Sequence, residues 1–243
     1  MDSVLILGAT SDISEALAYK YAQNKCNLIL ASRNENRLSP LKSDIEIKHD
    51  INVSLVEFDA LDFDSHKQFY EDLEIKPSIV ICMFGYLGEQ KKSESNFLEA
   101  KKVIESNYLG ALSILNIISN EFEKNKEGVL VGISSVAGDR GRESNYIYGS
   151  AKAGFTTYLS GLRNRLSKFG VHVLTVKPGF VNTQMTKDLD LPKLLTAMPE
   201  DVANDVFKAV KKKKNVLYTK WFWKYIMLII KNIPESIFKK LSL

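Results

Sequence analysis

Apolar residues in this chain fall into two alternating patterns. Seven short runs, at 3–7, 27–31, 53–58, 78–82, 129–133, 171–176 and 216–219, are almost continuously hydrophobic and rich in Val, Ile and Leu. Such runs, bounded by polar turn residues, read as strands buried on both faces. Between them apolar residues return every three or four positions: around Ala16, Leu17 and Tyr21, then over 34–47, 65–73, 96–123, 148–169 and 200–211. That spacing predicts helices with one buried face. The alternation calls for an α/β fold, a doubly wound parallel sheet of about seven strands joined by right-handed crossovers. After Gly179, Pro192 and Pro199 interrupt the pattern, so 183–199 is long enough to form a lid over a site. One domain is expected over 1–219, with 220–243 as a distinct C-terminal segment.

The length of 243 residues and 45% hydrophobic content suit a single large core. Cys26 and Cys82 lie in or beside expected strands without metal or disulfide spacing, and read as small buried hydrophobes of a reducing compartment. His49, His66 and His172 are scattered singly, so no metal site is expected. The chain enters an apolar run at Val4 without a basic leader, as a cytoplasmic protein would. The net charge of +4 conceals an asymmetry: from residue 201 onward ten lysines face three acids, a balance of +7 that leaves −3 for residues 1–200.

The candidate chemistry sits where strands end. Tyr148 and Lys152 are one helical turn apart and share a face, where a cation favours the phenolate and makes the phenol a usable acid or base. Ser135 closes the 129–133 run and brings a hydroxyl to the same sheet edge. Near the N-terminus, Gly8-Ala9-Thr10-Ser11-Asp12-Ile13-Ser14 joins a strand to a helix, a junction that presents backbone N–H groups to an anion such as a dinucleotide pyrophosphate. Asp12 and Ser14 replace two glycines of a G-x-x-x-G-x-G turn. Asp12 either caps the helix or opposes a phosphate there. Ser32-Arg33 ends the second strand with a cation where an NAD site would carry an acid, which favours the 2′-phosphate of NADP over simple solvation of a loop. Asp59, past the third strand, can accept from an adenine amine or cap the next helix. Gly85 would let the backbone approach a ribose, and Asn107 is a polar amide that needs partners if buried.

In order and spacing, Gly8-Ala9-Thr10-Ser11, Asp59, Asn107, Ser135, Tyr148, Lys152 and Pro178-Gly179 resemble the short-chain dehydrogenase/reductases over nearly the whole chain. The resemblance implies a Rossmann-type fold and NADPH-dependent carbonyl reduction. Tyr148 would donate the proton, and Lys152 would lower its pKa and bind the nicotinamide ribose. Ser135 would hold the carbonyl oxygen and Asn107 would order a relay water. The cofactor contacts implied are Gly8, Thr10, Ser11, Asp12, Ile13, Arg33, Asp59, Ala60, Gly85, Tyr148, Lys152, Pro178, Gly179, Val181 and Thr183, with the last two at the carboxamide. Cys82-Met83-Phe84-Gly85 departs from the family's Asn-Asn-Ala-Gly. Phe84-Gly85-Tyr86-Leu87-Gly88, the acid at 12 and the segment 178–186 are similar to one branch, the keto-sugar reductase of the decaprenylphosphoryl arabinose pathway. A ketone or a keto-sugar on a polyprenyl phosphate is the substrate expected on that basis, with a long-chain keto-lipid as the alternative and a non-catalytic NADP-binding regulator as the rival of another class.

The segment from Lys220 to Lys231 is aromatic, aliphatic and basic at once. Its apolar run is about half of the roughly 20 residues that a spanning helix needs. It suits the inner surface of an anionic membrane, with Trp221, Phe222, Ile226 and Ile229 entering the lipid, or a contact with its own domain or a second subunit. Lys211 to Lys214 reads as a solvated helix end, and no aromatic-interleaved groove favours nucleic acid.

Overall fold

The computed structural model describes residues 2–187 and 189–241. Strand β1 (Ser3–Leu7) is followed by α1 (Asp12–Ala22), β2 (Asn27–Ser32), α2 (Ser39–His49), β3 (Val53–Glu57), α3 (His66–Glu71) and β4 (Ile79–Cys82). Then come α4 (Gln90–Ser95), α5 (Phe97–Ile104), α6 (Gly110–Asn125), β5 (Val129–Ile133), α7 (Tyr146–Leu166) and β6 (His172–Pro178). The seven main strands form one all-parallel sheet in the order β3-β2-β1-β4-β5-β6-β9, where β9 is Val216–Thr219. The order reverses between β1 and β4. In an open α/β sheet that switch point, at the carboxyl ends of the strands, is where a ligand fits.

Period-two alternation along each strand feeds two cores. Val4, Ile6, Leu28, Leu30, Ile79 and Ile81 face one layer with α1, α2 and α8 (Pro199–Lys211). Leu5, Leu7, Ile29, Val80 and Leu130 face the other, with α3, α6 and α7. Both faces are covered, which is why the strands read as unbroken apolar runs rather than alternating ones. Cys26 and Cys82 are buried free thiols, and burial pushes Cys82 up to about 12.

The 183–199 region carries structure of its own. Phe180–Val181 (β7) pairs in parallel with Thr196–Ala197 (β8), and the Asn182 N–H donates to the Ala197 carbonyl at 2.9 Å. The C-terminal segment docks on the domain. Its helix α9 (Trp223–Asn232) buries Trp223 and Met227 against Val136, with Phe222, Ile226 and Ile230 half-buried beside them. Arg140 clasps its end, donating to the carbonyls of Ile230 and Ile233, pairing with Glu235 at 2.8 Å and stacking over Phe238 in the last turn, α10 (Glu235–Phe238).

Candidate active site

Helix α7 supplies the reactive pair, and its position is set by packing. Ala151, Phe155, Leu159, Leu162 and Leu166 form its buried stripe. Its first turn approaches the turn after β5 closely enough that a Cβ on Gly149 would lie 2.8 Å from the Ala137 carbonyl oxygen. No residue larger than glycine fits that contact without displacement. The close approach carries Ser135 to Tyr148, and the Ser135 hydroxyl hydrogen-bonds the phenol. The same hydroxyl accepts from the Ala137 N–H at 3.1 Å, fixing its direction.

Lys152 is buried, and its ammonium donates to the Ile133 carbonyl at 3.0 Å. It lies 5.7 Å from the centroid of the Tyr148 ring. Burial drives both groups toward their neutral forms: Lys152 is lowered to about 8, and Tyr148 is raised to about 12, against a smaller lowering from Ser135. The spacing of the pair predicts a lowered phenol; desolvation raises it instead, opposed only by the Ser135 hydrogen bond.

Asn107 sits in one turn of π-helix (Glu105–Leu109) between α5 and α6. Its amide nitrogen donates to the carbonyls of Tyr86 at 2.6 Å and Val103 at 2.8 Å, while Oδ1 is buried with no partner. Such π-turns favour functional sites, and a buried acceptor of this kind calls for a donor from a ligand or water. A Cβ at Gly85 would meet that oxygen at 2.6 Å, so the glycine keeps the approach open.

Thr10, Ser11, Asp12, Ile13, Gly85, Asn107, Ser135, Tyr148, Lys152, Pro178, Gly179, Val181 and Thr183 line one cavity of about 260 Å³. Gly8, Arg33, Asp59 and Ala60 lie outside it. Gly8 adopts φ +89° and donates its N–H to the Ala31 carbonyl. The Asp59 carboxylate accepts from the Leu61 N–H at 3.0 Å, while its carbonyl meets His66, which is buried and also bonded to Ser113. At the end of β2, Ser32 is occupied by the Asn34 carbonyl and Arg33 is exposed.

One expectation at α1 needs correction. Ser11, not Asp12, is the N-cap: its Oγ accepts from the Ser14 N–H, and Ser14 Oγ donates to the Gly8 carbonyl. The Asp12 carboxylate accepts from the backbone N–H of Gln184 at 2.7 Å, tying α1 to the 183–199 segment. Gly179 also has another reason to be glycine, since a Cβ there would overlap the Trp223 ring. Arg142, Asn145 and Gln184, which also line this cavity, and Trp223 behind Gly179 have no sequence motif to mark them.

A family model for "short chain dehydrogenase" matches residues 2–193. An "uncharacterized oxidoreductase" of Mycobacterium tuberculosis is 31% identical over 241 residues, covering 98% of this chain and 96% of that protein. Among solved structures, a short-chain dehydrogenase from Sphingobium yanoikuyae in complex with NADPH superposes with a TM-score of 0.84 at 21% identity, covering 97% of this chain and 98% of that one. One from Burkholderia cenocepacia in complex with NADP gives 0.85 at 18% identity, covering 100% and 98%.

Proposed function

The chain belongs to the short-chain dehydrogenase family, and from that premise we propose that it is an NADPH-dependent carbonyl reductase with Tyr148 as proton donor. The observation that carries the reading is the single cavity in which Ser135, Tyr148, Lys152 and Asn107 meet. Ser135 orients the carbonyl oxygen beside the phenol, and Tyr148, held protonated by burial, gives it the proton. Lys152, with a lowered pKa and no carboxylate partner among the described residues, has donors left over for a ribose hydroxyl. Asn107 Oδ1 accepts from the water that refills the proton path. When bound, NADPH supplies the hydride.

The residues present fit that cofactor. The α1 N-terminus at Ser11 and Asp12 opens on the cavity, Gly85 leaves room for a ribose, and the orphaned Asn107 oxygen awaits a donor. Exposed Arg33 at the end of β2 would meet a 2′-phosphate, and the NADPH and NADP of the two structural relatives support that choice. Tyr148→Phe should lower reduction of any accepted ketone by about 100-fold or more while NADPH still binds. Unchanged turnover would remove Tyr148 as the acid, and a protein that binds NADPH but reduces no ketone would favour a regulatory role. Arg33→Ala should erase a preference for NADPH over NADH worth roughly 1.5 to 3 kcal/mol, read by cofactor fluorescence titration.

For the substrate, a keto-sugar on a polyprenyl phosphate is supported by the segments 84–88 and 178–186 and by the apolar lining from Leu87, Val136, Met185 and Leu189. A long-chain keto-lipid would use the same lining. The outer face of the tail supports a lipid-borne substrate of either kind. No helix among the described residues is long and apolar enough to cross a membrane. Phe222 and Ile226 turn inward, but Trp221, Tyr225, Leu228 and Ile229 form an exposed stripe flanked by Lys224 and Lys231. That arrangement suits docking on an anionic lipid surface at the inner face of a membrane. Sedimentation with vesicles rich in anionic lipid should bind the native protein and release Trp221→Ser/Ile229→Ser. Loss of a dimer instead, with no vesicle binding in the native protein, would make the stripe a contact between subunits.

A further inference from the structure

The reduction chemistry leaves one charged group in the cavity without a task. Arg142 lies in the turn between β5 and α7, lines the cavity with Ser135 and Tyr148, and is partly buried. Its Nε is fully enclosed and has no hydrogen-bond partner. One Nη reaches the Val136 carbonyl only at 3.4 Å. No carboxylate lies within ion-pair distance among the described residues; Asp139 is held by Lys177 at 2.5 Å and by the Tyr218 hydroxyl at 2.7 Å. Desolvation lowers the pKa of the guanidinium, and the Asp139 charge offsets it only in part.

Among the described residues Asp12 is the only acid lining the cavity, and its carboxylate is engaged by the Gln184 N–H. Beside Arg142, Asn145 at the start of α7 caps nothing with its side chain, and its Oδ1 is buried and unpartnered. An amide turned about its last bond exchanges oxygen for nitrogen at that place and becomes a donor into the cavity. Guanidinium and amide then form a cluster of donors that meets no carboxylate among the described residues.

We infer that Arg142, assisted by Asn145, binds an oxyanion carried by the substrate, so that the enzyme acts on ketones bearing a phosphate ester. The inference rests on reading this cavity as the substrate pocket, and deepens that reading by naming a charge requirement. A planar fork of N–H donors matches a phosphate better than a point charge does, and binding restores hydrogen bonds to groups that lack them. The anion is also what selects substrates: a neutral ketone leaves the buried guanidinium unpaired, which disfavours its binding.

The test is calorimetric titration of the full-length protein with dihydroxyacetone phosphate and with dihydroxyacetone, which differ by the phosphate alone. The native protein should bind the ester about 10-fold or more tightly than the neutral ketone, with inorganic phosphate competing. Arg142→Gln should abolish the difference, Arg142→Lys should keep part of it, and Arg33→Ala should retain it, which separates this site from one for a cofactor phosphate. If Arg142→Gln does not fold, the Lys variant and the phosphate competition carry the same test. Equal binding of the two ketones, no measurable binding of the ester, or discrimination that survives Arg142→Gln overturns the inference. Reduction of the ketones is a separate readout: discrimination without turnover counts against the reductase reading and leaves the anion site standing. Methyl phosphate and decyl phosphate distinguish the sources, since an ester borne on a lipid gains affinity with chain length through the same Arg142 and a small soluble one does not.

Discussion

Two lysines are buried at the carboxyl ends of neighbouring strands, and the protein treats them in opposite ways. Lys177 ends β6 and pairs with Asp139, whose second oxygen accepts from Tyr218. Lys152, on α7, reaches the end of β5 and, among the described residues, finds only the Ile133 carbonyl. Ile133 is in register with Val176, so the two ammonium groups belong to adjacent positions of one sheet edge. Both are less than 10% exposed, at 4% for Lys152 and 7% for Lys177. The difference is the counter-charge. With it, Lys177 braces the turn that carries Ser135 against β9; without it, Lys152 keeps a lowered pKa and unspent donors, a costly arrangement that stability alone would not retain.

The contrast breaks most visibly in activity. Lys152→Met should lower ketone reduction by about 100-fold or more and weaken NADPH binding, yet leave the melting temperature unchanged or higher, because the desolvation cost of an unpaired charge is removed. Retained turnover, or a large fall in melting temperature, would make Lys152 a structural residue like its neighbour.

Asp139→Asn tests the other half. It strands the Lys177 ammonium in the sheet edge, and should destabilise the fold by about 3 to 5 kcal/mol in chemical denaturation. Adding Lys177→Met to that protein should recover much of the loss. If Asp139→Asn is neutral, the pair contributes nothing and the comparison fails on this side.

The smallest effect is in pH. The Lys152 amine is lowered from 10.5 to about 8 in the fold. Between those values the unfolded chain binds a proton that the folded chain has released, so Lys152 makes folding stability rise with pH across that window, and its full handicap is present below it. The stability gap between native protein and Lys152→Met should therefore narrow from pH 7 to pH 9.5. A constant gap would mean that the amine keeps its ordinary pKa.

Much of the fold can be read from the chain because parallel strands covered on both faces leave unbroken apolar runs, and all seven predicted runs lie in the sheet. The strand pair β7–β8 is too short to leave a periodicity, and α4, Gln90–Ser95, has no apolar stripe. The reactive residues stand out because a helical turn spaces Tyr148 and Lys152. Their protonation does not, since burial belongs to the packing and here sets the direction for both groups. Asp12 and Gln184 meet across 172 positions, and no local pattern reports such a contact. Arg142 and Asn145 lie between two motifs in a turn without repeat. The tail is the subtlest case: Trp223 and Met227 lie on one side of α9, Tyr225, Leu228 and Ile229 on the other, and spacing alone does not say which side packs.

The contact between Trp223 and Gly179 sets the chain's end directly behind the wall of the cavity. The indole fills the space that a Cβ at Gly179 would need, and its N–H donates to the Leu195 carbonyl at 3.2 Å. These positions are therefore one heritable unit. A lineage that loses Trp223 opens a hole behind the floor of the site, and one that changes Gly179 first evicts the tail, so the two must drift together. For engineering, trimming the chain after β9 is not the removal of an appendage but a change to the backing of the cavity, and substitutions that spare the cavity belong on the outer stripe of the helix.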